Sequence, residues 1–122
     1  MALRKIPDPK NPVAKDLLKK YARPQKPGTP ALGAKEVETR IKSLAGWIAQ
    51  DGRISKTYKF EDYYKTIAFV NVIAWLSNKE DHHPDLEVGY NKCVVHYSTH
   101  SVGGLSENDF ICAAKIDELM RT

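Results

Sequence analysis

Six of the seven prolines lie in the first thirty residues, at Pro7, Pro9, Pro12, Pro24, Pro27 and Pro30. Proline has a fixed φ and no backbone donor, so this spacing forbids a long helix or a central strand there. Regular structure is thereby pushed into residues 31–122, where Pro84 is the single proline. The charge divides at the same place. Residues 1–30 carry eight Lys and Arg against Asp8 and Asp16, a net +6. The rest carries eleven basic against thirteen acidic residues, a net −2. The expectation is a flexible, basic, Pro-rich arm over 1–30 and one folded domain over 31–122. Within the arm, Val13 to Tyr21 is amphipathic and long enough for two helical turns, a length marginal in water by itself. A slightly acidic domain argues against a nucleic-acid-binding face. The arm is the one region suited to an acidic protein partner.

Within 31–122 the apolar periodicity alternates between helix and strand. From Ala34 to Gln50 the residues Val37, Ile41, Leu44, Ala45 and Ile48 recur at helical spacing, and Asp51-Gly52 supplies a turn. Ile54, Tyr58 and Phe60 then alternate with polar residues, as in a half-buried strand. Glu61 to Ser77 is the strongest helix. Its stretch Ile67–Leu76 is apolar almost all round, which predicts deep burial, with Phe69 and Trp75 in the core. Asn71, its one polar residue, would need internal hydrogen-bond partners. Val88 and Tyr90–Thr99 make a second strand pair, with Cys93, Val95 and Tyr97 on one face and Lys92, Val94, His96 and Ser98 on the other. Ser106-x-x-Asp109 has the form of a capping box opening a last helix, Glu107 to Met120. Helix, strand pair, helix, strand pair, helix predicts an α+β domain with helices on one face of an antiparallel sheet.

Cys93 and Cys112 fall among apolar neighbours and read as buried thiols of a reducing compartment. No apolar run reaches membrane-spanning length, and the basic N-terminus lacks the hydrophobic segment of a secretory signal. A cytoplasmic protein with no membrane association is expected.

Chemistry concentrates between Glu80 and Asp109, in EDHHPDLEVGYNKCVVHYSTHSVGGLSEND. His82 and His83 are adjacent, Pro84 biases the backbone before it toward an extended form, and His100 follows the last strand. Imidazoles change charge near neutral pH, so two or three in one pocket can exchange protons with a substrate. His96 reads as an ordinary strand histidine, and Asp109 as a helix cap at least as well as a catalytic group. Four histidines could be counted toward zinc, but adjacent ones rarely reach one ion and no HExxH is present, so no metal is expected. There is no glycine-rich phosphate loop, and neither cysteine lies in an exposed electropositive setting.

The His82-His83-Pro84 triplet, with Tyr90, His100 and Asp109 at their spacings, resembles the signature of the pterin-4a-carbinolamine dehydratases. The resemblance runs from about Trp47 through Phe60 and Phe69 to Asp117. It implies a four-stranded antiparallel sheet with three helices on one face, strands near 47–50 and 53–60, and a homodimer or homotetramer. It implies a lyase of the tetrahydrobiopterin type, one that dehydrates 4a-hydroxytetrahydropterin to quinonoid dihydropterin with no cofactor. By position His82 and His100 would be the acid/base groups and His83 chiefly a substrate ligand. Asp81, Pro84, Ser98, Thr99 and Ser101 would line the pterin pocket. At one place the chain departs: the family usually has an acidic or other ionisable residue four before His82, and here Asn78 could make half of that contact. The resemblance also reaches proteins that do not act as enzymes, a transcriptional dimerisation cofactor and Rubisco assembly factors found with carboxysome genes. The basic arm and Asn78 suit such a binding role, while the intact histidines suit the dehydratase.

Overall fold

A computed structural model describes residues 11–121; residues 1–10, the first third of the expected arm, and Thr122 lie outside the described residues. The elements are α1 (Pro12–Lys19), α2 (Ala34–Ile41), β1 (Ile48–Gln50), β2 (Arg53–Lys59), α3 (Tyr63–Glu80), β3 (Asp85–Val88), β4 (Lys92–Tyr97), a 3-10 turn (His100–Val102) and α4 (Glu107–Leu119). The four strands form one antiparallel sheet in the order β1-β2-β4-β3. The expected α+β class and element order hold, with α1 as an added helix.

Alternation sets the core. Ile54, Lys56 and Tyr58 of β2 pair with Tyr97, Val95 and Cys93 of β4, so all six share the face that is buried. Phe69, Ile73 and Leu76 of α3 and Phe110, Ile111, Ala113 and Ile116 of α4 pack on that face. Tyr58 and Phe60 both meet Phe69, at centroid distances of 4.5 and 5.0 Å. Each fully buried large apolar side chain contributes about 1.5–3 kcal/mol.

A charged pair, Asp117 and Lys56, sits inside this core. Asp117 of α4, fully buried, receives Trp47 Nε1 and Lys56 Nζ, each at 2.9 Å, and a short hydrogen bond from the Tyr58 hydroxyl. Burial raises the Asp117 carboxyl above the usual aspartate value against the pull of Lys56 and the hydrogen bonds. Lys56 also donates to Ala45 O at 3.1 Å.

Three expectations change. The helix read from the periodicity after Ala34 ends at Ile41, not at Gln50, and Ile48–Gln50 is the edge strand that the family resemblance implied near 47–50. The chain turns at Gly46, whose φ is +87° and where a Cβ would lie 3.0 Å from Lys56 Cε. Only glycine meets both demands, and the apolar period running through Leu44 hides the stop. Secondly, α3 buries one stripe only: Trp75 is 55% exposed, and Asn71 is exposed and needs no internal partner. Thirdly, residues 11–24 pack on the domain. Asn11 caps α1 by accepting from Val13 N at 2.9 Å and Ala14 N at 3.1 Å, and Ala14 and Leu17 are buried. A helix that is marginal alone is held here by its docked apolar face.

Candidate active site

Helix α3 stops just before the histidine pair. Its C-cap, Asp81, adopts the left-handed conformation at φ 52°, and His82 N donates to Ser77 O at 3.2 Å. A short polar side chain tolerates that conformation better than a branched one. The reversal turns His82 inward. Its ring stacks on Tyr97, with centroids 5.6 Å apart and planes 14° from parallel. His82 Nε2 lies 2.7 Å from Asp109 Oδ1.

Asp109 is the expected capping-box residue and more. Its Oδ2 accepts from Ser106 N at 3.0 Å and from Thr99 Oγ1 at 2.8 Å, and the side chain is fully buried. Because Thr99 donates to Asp109, the 2.6 Å contact between Thr99 Oγ1 and Ser106 Oγ is donated by Ser106. All of Asp109 Oδ2 is thus taken by the fold, and Oδ1 is left to fix the imidazole. A carboxylate on one ring nitrogen sets the tautomer and leaves the other nitrogen, Nδ1, for exchange.

His82 opens on a cleft of about 520 Å³. One wall is Glu80, Asp81, His82, His83 and Asp85; another is His96, Ser98, Thr99, His100 and Ser101; the rest is Asn108 with residues 22–25. His100 begins the 3-10 turn after β4, which closes through Thr99 N on Gly104 O at 2.8 Å. The structure therefore brings His82, His83 and His100 together, with Asp81, Ser98, Thr99 and Ser101 beside them. Thr99 is buried and committed to Asp109. Pro84 and Asn78 are not among the lining residues, and Asn78 is exposed.

Sequence reading missed Glu80, Asp85, His96, Asn108 and residues 22–25 as parts of the wall. His96 faces away from the core opposite Asp85, and strand register would have revealed it. Both of its ring nitrogens are occupied, Nδ1 by Ser55 Oγ at 2.6 Å and Nε2 by Glu87 Oε2 at 2.5 Å. That hydrogen bond holds the Glu87 carboxyl below the usual glutamate value. For residues 22–25 the only signal was two polar side chains, Glu80 and Asn108, at positions the fold buries.

The thiols are inert. Burial pushes Cys93 up to about 11 and Cys112 up to about 12. Among the described residues no group of three or more His, Cys, Asp and Glu side chains is arranged to hold a metal ion, and no helix is long and apolar enough to cross a membrane. The site can move protons through positioned imidazoles on a ligand lodged in the cleft.

The comparisons with known proteins agree on the family. A family profile described as pterin 4 alpha carbinolamine dehydratase matches residues 30–119. A relative from Nitrosomonas eutropha, provisionally named a pterin-4-alpha-carbinolamine dehydratase, is 55% identical over 106 residues, covering 86% of this chain and 94% of that one. One of the same provisional name from Bdellovibrio bacteriovorus is 53% identical, over 85% of this chain and 88% of the relative. A crystal structure of a transcriptional coactivator/pterin dehydratase from Brucella melitensis superposes with a TM-score of 0.70 at 31% identity, covering 73% of this chain and 97% of that one. A pterin dehydratase-like Rubisco assembly factor of the alpha-carboxysome shares the fold, with a TM-score of 0.50 at 23% identity over 60% of this chain and 84% of that one. By the profile and by these identities, the chain belongs to the pterin 4 alpha carbinolamine dehydratase family.

Proposed function

We propose that the protein dehydrates 4a-hydroxytetrahydropterin to quinonoid dihydropterin by histidine acid/base catalysis. The observation that carries the reading is His82, fixed through Nε2 on buried Asp109, in one cleft with His83 and His100. One imidazolium delivers a proton to the departing 4a-hydroxyl as its C–O bond breaks. A neutral imidazole takes the proton from the adjacent ring nitrogen as the C=N bond forms. Water leaves and no electrons are exchanged with a cofactor. His82 and His100 take these two roles, and His83 holds the substrate. Each positioned group of this kind is worth about 10²–10⁴-fold in rate. Asp81, Ser98 and Ser101 offer polar contacts to the pterin edge.

The same reading places the protein in the cytoplasm as a homodimer or homotetramer. Self-association would cover the exposed Tyr64 and Trp75 of α3, which are 82% and 55% accessible in the single chain. The basic arm, residues 1–30, offers a contact for an acidic protein partner. Assaying purified protein for 4a-hydroxytetrahydropterin dehydration tests the reading. Turnover well above the uncatalysed rate supports it. No turnover at any protein concentration sinks it in favour of a binding role such as Rubisco or carboxysome assembly or transcriptional dimerisation.

A further inference from the structure

Four consecutive residues beyond the family-matched region are fastened to α3 and α4 one by one. Lys20 Nζ donates to Glu107 at 3.1 Å. The Tyr21 ring lies 4.3 Å below Lys115 Nζ. Ala22 N donates to Glu80 Oε1 at 2.9 Å, while the other oxygen of Glu80 accepts Lys115 at 2.9 Å. Arg23 is held at both backbone groups by Asn108: its N–H donates to Oδ1 at 2.9 Å and its C=O accepts from Nδ2 at 2.6 Å. Glu80 and Asn108 are 4% and 6% exposed with the segment in place, so their hydrogen bonds to it are shielded from water. The segment is a fixed wall and not a lid.

The wall brings Arg23, Pro24 and Gln25 into the lining of the same cleft as the histidines. Gln25 Nε2 is turned back onto Arg23 O at 3.2 Å, so the cation that this segment presents to the cleft is the exposed Arg23. Glu107 and Glu80, the acids that the segment itself contacts, are already paired with lysines and Arg40, while Asp81 and Asp85 also line the cleft.

We propose that Arg23 is a specificity-determining residue, selecting pterins whose ring substituent carries an anionic or carboxylate group. The assignment rests on the pterin-binding reading of the same cleft. A planar guanidinium recognises a carboxylate through paired hydrogen bonds that a neutral substituent cannot supply. At a partly exposed site the preference is about tenfold, and it weakens with salt.

Fluorescence titration with pterin-6-carboxylate and 6-methylpterin tests this on the full chain. Wild type should bind the carboxylate about tenfold more tightly, and Arg23→Gln should bring the ratio of the two affinities close to one. Arg23→Lys should restore part of the preference. Equal affinities in wild type, a preference that survives Arg23→Gln in protein with an unchanged thermal transition, or binding of neither probe would each overturn the assignment. Dehydratase turnover is measured separately. Turnover without the preference removes Arg23 alone, and the preference without turnover removes the catalytic reading alone.

Discussion

Helix α4 carries two fully buried carboxylates eight residues apart, and they do different things. Asp117 is surrounded by Trp47, Lys56 and Tyr58, all of them buried with it. Asp109 receives two donors from the fold and one from His82, and that imidazole reaches an open cleft. Burial of an acid is therefore not the mark of the site. The mark is a buried acid whose partner reaches a cleft where a ligand can sit. A closed cluster ties sheet to helix, whereas an open one orients a reactive group.

The sharpest way to break this contrast is to remove each carboxylate in turn. Asp117→Ala leaves the Lys56 ammonium buried beside two unpaired donors, and loss of one partner of such a pair costs about 3–5 kcal/mol. A denaturant titration should show that loss, with the folded fraction keeping its kcat. If stability is unchanged, Asp117 is not the tie described here. Asp109→Asn acts the other way. It keeps the shape but offers His82 an amide, so the ring is no longer held in one tautomer. We expect kcat to fall about tenfold with a smaller change in KM and a smaller loss of stability than at Asp117. A KM effect with kcat intact would mean that Asp109 serves binding rather than orientation.

Acid sharpens the contrast at lower amplitude. The Glu80 carboxyl pays for burial but is pulled below its usual value of 4.5 by the Ala22 amide and Lys115. Glu107 is likewise lowered, by Arg40 and Lys20 acting against burial. Carboxyls lowered in the folded state stabilise above 4.5, and that contribution is lost as pH falls through their folded values. Asp117, raised by burial, has the opposite sign: its ionisation costs stability as pH rises through its folded value, and acid relieves that cost. Hydrogen exchange on lowering pH below 4.5 should release the Ala22 and Arg23 amides before those of β2. Simultaneous release would show that the wall is not held by these acids.

Much of this was legible beforehand because its physics is local. Strand alternation located Cys93, Val95 and Tyr97 in the core, and Ser106-x-x-Asp109 announced the start of α4. The adjacent His82 and His83 with His100 pointed to one pocket. What stayed hidden depends on contacts distant in sequence. The turn at Gly46, between α2 and β1, packs against Lys56, ten residues on. Trp75 looked like core because an apolar pattern does not say which face lacks a neighbour in the single chain. Arg23 is tied by a side chain 85 positions away, and prolines on both sides of the segment masked it as a loose arm. Asn78 stood at the right spacing from His82, yet the helix turns it outward.

The central claim is that His82 on Asp109 exchanges protons with the substrate while His96, with both nitrogens occupied, does not. It is tested most directly by kcat/KM for 4a-hydroxytetrahydropterin dehydration in wild type, His82→Ala and His96→Ala, each with its thermal transition recorded. The account predicts that His82→Ala loses at least tenfold, about 1.4 kcal/mol or more of transition-state stabilisation, with its fold intact and a loss greater than that of His96→Ala. A folded His82→Ala that turns over at the wild-type rate, or a larger loss at His96, would contradict it.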